Sequence, residues 1–145
     1  MEVLGRSEGE RGCDSLLDMA QSGRFQLSVR VLAVLAAAPD SMRTSTAIAE
    51  ELGESAVMVR RTFLLLQKAG LIAQRKGPNG GAKLVVPAKE IGLGDVYGAA
   101  EGAWMSLDEE HSGGLGGLMK RVRKDATAAM NVTTLAQVVK RMRKG

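Results

Sequence analysis

The chain has 145 residues, of which 45% are hydrophobic and 25% charged, a balance typical of one globular domain and not of a disordered or membrane protein. Its longest nearly uncharged apolar run, residues 31–39, is too short to span a bilayer, and no basic-then-apolar leader opens the sequence. The single cysteine, Cys13, excludes an internal disulfide and a multi-thiolate metal site within one chain. We therefore expect a cytoplasmic protein.

Charge is distributed unevenly along the chain. Residues 1–18 carry two arginines against five acidic residues, whereas the window from Ser55 to Lys89 contains seven basic residues and no acidic one. These seven are Arg60, Arg61, Lys68, Arg75, Lys76, Lys83 and Lys89. Because a solvated surface normally mixes both signs, the window favours a polyanion such as nucleic acid as partner. A lysine-rich surface that only maintains solubility is the alternative.

The first organised element is a helix. Residues 1–21 lack sustained periodicity and are predicted to form a flexible tail, an extension upstream of a true start at Met19, or a vector-derived remnant. From Phe25 onward, apolar residues recur at helical spacing, and Pro39 with Asp40 ends the pattern. The residues on this apolar face are Leu27, Val31, Leu32, Leu35 and Ala36.

Two short helical patterns follow, separated by Gly53. Thr44 or Ser45 can cap the first, and Ser55 can cap the second, because their hydroxyls accept hydrogen bonds from free amides of the first turn. Gly70 stands where a left-handed residue commonly ends a helix. The second pattern carries its apolar residues on one side, at Val59, Phe63, Leu65 and Leu66. Such a pair of helices is typical of a helix-turn-helix.

A β-hairpin is predicted directly after this pair. Residues 71–73 and 83–86 are short strand candidates, and the sequence Q-R-K-G-P-N-G-G-A between them is rich in turn residues. A hairpin in this position is the wing of a winged helix. Residues 92–101 then predict another short helix, with Leu93, Val96 and Ala100 directed inward. We assign residues 22–101 to a winged helix-turn-helix domain.

The last third of the chain combines a linker with a long helix. Residues 102–117 are rich in glycine and acidic residues, and residues 118–145 are assigned to a dimerisation helix and a C-terminal segment capped by Thr133 or Thr134. A helix of this length after a domain with its own core favours pairing with a second subunit, whereas packing on its own domain is the alternative. The apolar stripe is Leu115, Leu118, Met119, Val122, Ala126, Ala129 and Met130. The fold class expected is mainly α, with a small β-hairpin wing.

Three runs together resemble a known family. They are S-A-V-M-V-R-R-T-F-L-L-L-Q-K-A-G-L-I, R-K-G-P-N-G-G and I-G-L-G-D-V-Y-G-A-A-E-G. In combination they resemble the Rrf-two (Rrf2) family of bacterial winged-helix regulators, over residues 22–142. The resemblance implies a homodimeric DNA-binding regulator, a repressor in its most common form, whose palindromic operator mirrors the two-fold axis of the dimer.

One departure concerns the cofactor. Cluster-binding members of the family carry three cysteines in the loop that corresponds to residues 102–117, and this chain has none there. An iron–sulfur cluster needs thiolate or comparable donors, so we expect no cofactor and no metal. Trp104, beside this loop, is either a packing residue or a contact for a small-molecule effector.

The resemblance also implies which residues contact DNA. The first turn of the second helix would enter the major groove, with Arg60 where the family presents a base-reading side chain, since arginine can bind guanine bidentately. Lys76 matches the position of an arginine that enters the minor groove. The predicted DNA-binding residues are Thr44, Ser45, Ser55, Ala56, Val57, Met58, Arg60, Arg61, Arg75, Lys76, Gly77, Pro78, Asn79, Gly80 and Gly81.

A second class of function stays open. A winged domain that no longer binds DNA, and whose basic surface binds another protein instead, would carry the same helices and hairpin. The sequence contains no nucleophile–base pairing and no metal-ligand spacing that would indicate an enzyme. DNA binding through a basic surface weakens steeply with salt, and this dependence separates the two classes.

Overall fold

The computed structural model describes residues 22–101 and 114–144. Within these ranges the chain forms six α-helices, one two-stranded sheet and a short 3-10 turn at Ala88–Glu90. The helices are α1 (Ser22–Ala37), α2 (Ser45–Leu52), α3 (Ala56–Lys68), α4 (Leu93–Ala100), α5 (Leu115–Met130) and α6 (Leu135–Lys144), and the strands are β1 (Ile72–Arg75) and β2 (Gly81–Leu84). The helices, the hairpin and their order agree with the mainly α, winged fold class predicted from the sequence.

The core is organised around α1. This helix packs against α2, α3, α4, α6 and β2. Its predicted apolar face is confirmed, because Leu27, Val31, Leu32 and Leu35 are buried and Ala36 packs partly buried against them. Burial of these side chains is the main favourable contribution to folding, at roughly 1.5–3 kcal/mol for each fully buried leucine or valine.

The two ends of the winged domain are joined at the surface. Arg24, near the start of α1, donates two hydrogen bonds to the Glu101 carboxylate after α4, at 2.6 and 3.3 Å. Next to this ion pair, the rings of Phe25 and Tyr97 lie 5.2 Å apart in a tilted arrangement. Together these contacts fasten α4 to the first helix of the domain.

The strands of the wing differ from the sequence prediction. They occupy residues 72–75 and 81–84, where residues 71–73 and 83–86 were expected, so the predicted boundaries were wrong and Val85 and Val86 lie outside the ladder. The cause is tertiary pairing: Ala82 pairs with Gln74 of β1 and, on its other side, with Arg43, which precedes α2. Ala82 therefore has partners on both sides, and beyond the ladder the Val85 N–H still donates to the Leu71 carbonyl at 3.1 Å.

The C-terminal residues return to the core. Helix α5 begins at Leu115, so residues 115–117, which were expected in the linker, belong to the helix. After α5, the Leu135 N–H donates to the Ile91 carbonyl at 2.7 Å, and the Leu135 side chain is fully buried. Of the two cap candidates, Thr134 accepts the hydrogen bond that begins α6, from the N–H of Gln137. None of the helices in the described ranges is long and apolar enough to cross a membrane.

Candidate nucleic-acid interface

The N-termini of α2 and α3 are capped as the sequence indicated. Thr44, rather than Ser45, caps α2, its Oγ1 accepting the Ala47 N–H at 3.0 Å. Ser55 caps α3, its Oγ accepting the Met58 N–H at 3.3 Å. Both caps lie at the exposed ends of their helices. Each hydroxyl can still donate its own proton to an external acceptor such as a phosphate oxygen.

The first turn of α3 divides its side chains between core and solvent. Ala56 and Met58 are half-buried and pack against the hydrophobic core, although both were expected to face a duplex. Val57 lies between them in sequence, is 51% exposed and takes no part in the core. Of these three residues, therefore, Val57 is the one directed fully outward.

Two arginines continue the outward face of α3. Arg60 and Arg61 are exposed one turn after Val57. On the opposite face Thr62 is buried, where its Oγ1 donates to the Met58 carbonyl at 2.9 Å. Thr62 is a polar residue within an otherwise apolar face, and the periodic pattern of α3 did not indicate its burial. Its bond within the helix satisfies the hydroxyl and permits burial.

The wing loop depends on its glycines. Arg75 pairs with Gly81 at the end of the ladder, so the loop proper is residues 76–80. The Gly80 N–H donates to the Gly77 carbonyl at 2.9 Å, and a Cβ at Gly80 would overlap the Arg75 carbonyl. Gly77 adopts a φ of 107°, which side chains rarely allow. The result is a tight tip on which Lys76, Pro78 and Asn79 are exposed.

Two contacts attach the wing to the helix-turn-helix. Arg43, the residue before the α2 cap, exchanges backbone hydrogen bonds with Ala82 of β2 at 2.8 and 2.9 Å. Gln74 of β1 donates through Nε2 to Oε1 of Gln67 in α3 at 2.6 Å. The wing is consequently adjacent both to the start of α2 and to the last turns of α3.

The turn between α2 and α3 is held by Arg30, a residue that the sequence analysis missed. From α1, its guanidinium donates to the Leu52 carbonyl at 2.7 Å and to the Glu54 carboxylate at 3.1 Å. These partners are more than twenty positions away in the chain, so no local pattern could indicate them. Arg30 thereby links α1 to the end of α2 and to the turn before α3.

The charged side chains between Ser55 and Lys89 are all positive. All seven basic side chains of the 55–89 window are exposed, and none forms an ion pair with an acidic side chain in residues 22–101 or 114–144. Nearby, Glu51 and Glu54 are paired with Arg43 and Arg30. Two of the neighbouring negative charges are thereby neutralised, and the seven cations stay available to a polyanion.

The predicted dimerisation stripe of α5 is exposed along one edge and half-buried along the other. Leu115, Leu118 and Val122 are exposed, with Ala129 on the same side, whereas Met119, Ala126 and Met130 are half-buried. No residue of α5 is fully buried. The contact of α5 with α4 includes Thr127 and Asn131, which lie against Gly94. One helix thus contacts its own domain and presents a second apolar row outward.

Several sequence-predicted residues lie outside the described part of the chain. They are Cys13 and Trp104, together with residues 1–21 and most of the 102–117 segment. The described residues contain no group of three His, Cys, Asp or Glu that could hold a metal ion. The full sequence offers one thiolate per chain and none between residues 102 and 117, so the donor set does not fit a cysteine-ligated iron–sulfur cluster.

Comparisons with known proteins identify the family. Among solved structures, CymR of Staphylococcus aureus is 27% identical to this chain with a TM-score of 0.59, and the alignment covers 81% of this chain and 95% of that one. The global cysteine regulator CymR of B. subtilis is 21% identical with a TM-score of 0.62, covering 81% and 93%, and T. potens IscR is 23% identical with a TM-score of 0.60, covering 82% and 85%. No curated protein sequence matches the chain.

The family model described as Rrf2, iron-dependent transcriptional regulator, matches residues 21–141. This range agrees with the resemblance over residues 22–142 found in the sequence. Members of the family are transcriptional regulators and not enzymes, as expected here. The chain belongs to the Rrf2 family of DNA-binding transcriptional regulators.

Proposed function

We propose that this protein is a homodimeric repressor that binds a palindromic DNA operator and works without an iron–sulfur cluster. The observation that carries the proposal is the exposure of seven basic side chains between Ser55 and Lys89, among them Arg60 and Arg61 on α3 and Arg75 and Lys76 on the wing that is bonded to α3. A surface that concentrates cations on a winged helix-turn-helix suits the phosphate backbone of a duplex.

In this proposal α3 is the recognition helix in the major groove. Its free N-terminal amides and its dipole favour a phosphate near Ser55, and Thr44 with Ser45 presents a second helix N-terminus to the backbone. Arg60 reads a base edge, and Arg61 lies beside it on the same exposed face. Arg30 supports this arrangement indirectly, because it fixes the turn before α3.

The wing contacts the adjacent minor groove. Lys76 stands at the start of a loop whose glycines leave the backbone able to approach the sugar-phosphate surface, and a cation there benefits from the negative potential of a narrow groove. Arg75 is exposed at the end of the paired strand and contacts phosphate. Gly77, Pro78, Asn79, Gly80 and Gly81 complete the proposed contact loop.

The dimer forms through the outer row of α5. Leu115, Leu118 and Val122 are large apolar side chains left exposed on a helix whose other face already contacts α4. Burial of this row against the same row of a second copy gives a two-fold interface, and each recognition helix then meets one half-site. Met119, Ala126 and Met130 support the row from the inner face, and Ala129 extends the outer one.

Regulation is proposed to act through differential affinity. A dimer on its operator, in the cytoplasm, blocks access of the polymerase, and an effector releases it by favouring another spacing of the two recognition helices. Trp104 stays our candidate contact for a small-molecule effector. Because the donor set does not fit a cluster, the signal is expected to be independent of iron.

The test is a gel-shift titration with genomic fragments selected by the purified protein, at two salt concentrations. We expect specific complexes whose affinity falls steeply with salt, since several phosphates are neutralised. Complete lack of DNA retention at low salt would instead favour the alternative, a winged domain that binds another protein through its basic surface.

A further inference from the structure

We infer that Val57 reads the 5-methyl group of a thymine in the operator, within about two base pairs of the base that Arg60 contacts. The inference deepens the proposed function and rests on it. Val57 is the second residue of α3, directly after the Ser55 cap and Ala56. The N-terminal residues of a recognition helix are those that come closest to base edges.

The side chain of Val57 lies outside the hydrophobic core. It is 51% exposed, and it is absent from the core to which its neighbours Ala56 and Met58 contribute. A β-branched residue at an exposed helical position also disfavours the helix relative to alanine. An apolar contact outside the chain accounts for both features.

The chemistry of the major groove selects thymine as that contact. Each base pair presents polar donors or acceptors there, and thymine adds a methyl group. Valine has no side-chain atom that could donate or accept a hydrogen bond, so it gains nothing from the polar edges. Against the methyl group it buries apolar surface on both sides.

The spacing to Arg60 limits where this thymine lies. Residues three apart on a helix have Cβ atoms about 5–6 Å apart on the same face. Base pairs are stacked about 3.4 Å apart. Val57 and Arg60 therefore address positions that are adjacent or separated by one base pair, and a guanine read by Arg60 should have the thymine as a close neighbour.

The experiment uses the full-length protein and an operator selected from a random pool of double-stranded DNA. Each thymine of the selected site is replaced in turn by deoxyuridine, which removes only the methyl group. We expect one thymine per half-site, beside the guanine, to lose about fourfold in affinity, the effect of burying one methyl-sized group.

The matched variants are Val57→Ala and Leu64→Ala. Leu64 is also an exposed apolar residue of α3, at 64%, but lies two turns further from the N-terminus. Val57→Ala withdraws two methyl groups from the base and should reduce the fourfold difference to less than about twofold, whereas Leu64→Ala should keep it. This double-mutant cycle measures the coupling of one side chain to one methyl group.

Two results would overturn the inference alone: a selected operator in which no thymine methyl group affects binding, or a fourfold difference that persists in Val57→Ala. If the protein selects no DNA sequence from the pool, the proposed function fails and the inference fails with it. The two failures are therefore distinguishable.

Discussion

Asp95 and Asn131 bind each other across the junction of α4 and α5. The Asp95 N–H donates to Asn131 Oδ1 at 3.0 Å, and Asn131 Nδ2 donates to Asp95 Oδ1 at 3.3 Å. The other carboxylate oxygen of Asp95 accepts the Gly92 N–H at 3.1 Å. A residue at the end of the proposed dimerisation helix thus takes part in capping the helix that closes the winged domain.

Loss of this pair should weaken the fold measurably. Asn131→Ala removes both bonds to Asp95, and we expect the free energy of unfolding to fall by about 1 kcal/mol. Urea denaturation followed by circular dichroism measures it. Val132→Ala is the control, because this neighbouring side chain is 77% exposed, and it should leave the midpoint unchanged. An unfolding midpoint of Asn131→Ala equal to that of the wild type would contradict the assignment.

Two glycines of α4 should respond oppositely to alanine. A Cβ at Gly94 would run into the Thr127 carbonyl of α5 and the Asn131 side chain, whereas a Cβ at Gly98 meets nothing within 4 Å. We expect Gly94→Ala to destabilise the protein by about 1–3 kcal/mol. Gly98→Ala should be neutral or stabilise by up to about 1 kcal/mol, through helix propensity. The melting temperatures of the Gly94→Ala and Gly98→Ala variants measure this difference. Equal melting temperatures would show that α4 and α5 are not in close contact.

The dimer proposal predicts the effect of a charge in the outer row of α5. Leu118→Glu places a carboxylate where two copies of the helix would meet, and burial of an unpaired charge opposes association. Sedimentation equilibrium should show a monomer for Leu118→Glu and a dimer for the wild type. Val132→Glu, on an exposed side chain outside the row, should stay dimeric. If the Leu118→Glu variant is still a dimer, the dimer interface does not include the outer row of α5.

Arg60 should govern base preference. Arg60→Ala is expected to cost about 1–3 kcal/mol on the best operator and to relax selectivity at one base pair, as for loss of one bidentate contact. Fluorescence anisotropy on operator and random duplexes measures both. Lys124→Ala, an exposed cation on α5 outside the winged domain, is the control and should change affinity only slightly. Equal losses on both duplexes would make Arg60 a phosphate contact.

The ligand chemistry predicts a colourless protein. With one thiolate per chain, anaerobic reconstitution with iron and sulfide should give no visible absorbance, and DNA binding should not respond to iron chelation. Visible absorbance that disappears in Cys13→Ala would overturn this expectation.

Local rules predicted much of the fold. The cap at Ser55, a cap at Thr44 or Ser45 and the left-handed Gly70 follow from residue chemistry within one turn, and the structure confirms them, with Thr44 as the cap of α2. The buried face of α1 follows from periodicity alone. Each of these features depends on residues fewer than about ten positions apart.

The rest depended on contacts between distant residues. The position of β2 is set by Arg43, the turn before α3 by Arg30, and the start of α4 by Asn131. In the candidate interface, the outward direction of Val57, Arg60 and Arg61 on α3 was predicted. The packing of Ala56 and Met58 against the core was not. The way in which α3 crosses the other helices decides which side of its first turn faces the core. The apolar pattern of one helix alone does not give this information.

The hydrogen bonds between Arg43 and Ala82 have a consequence for signalling. They join the wing to the segment that begins α2, so we expect the hairpin and the helix pair to move together as one rigid body. A signal that leaves this body intact can change only the distance and angle between its two copies. The affinity of one copy for an isolated half-site should therefore not depend on the effector. The effector should change DNA affinity only when both half-sites are present.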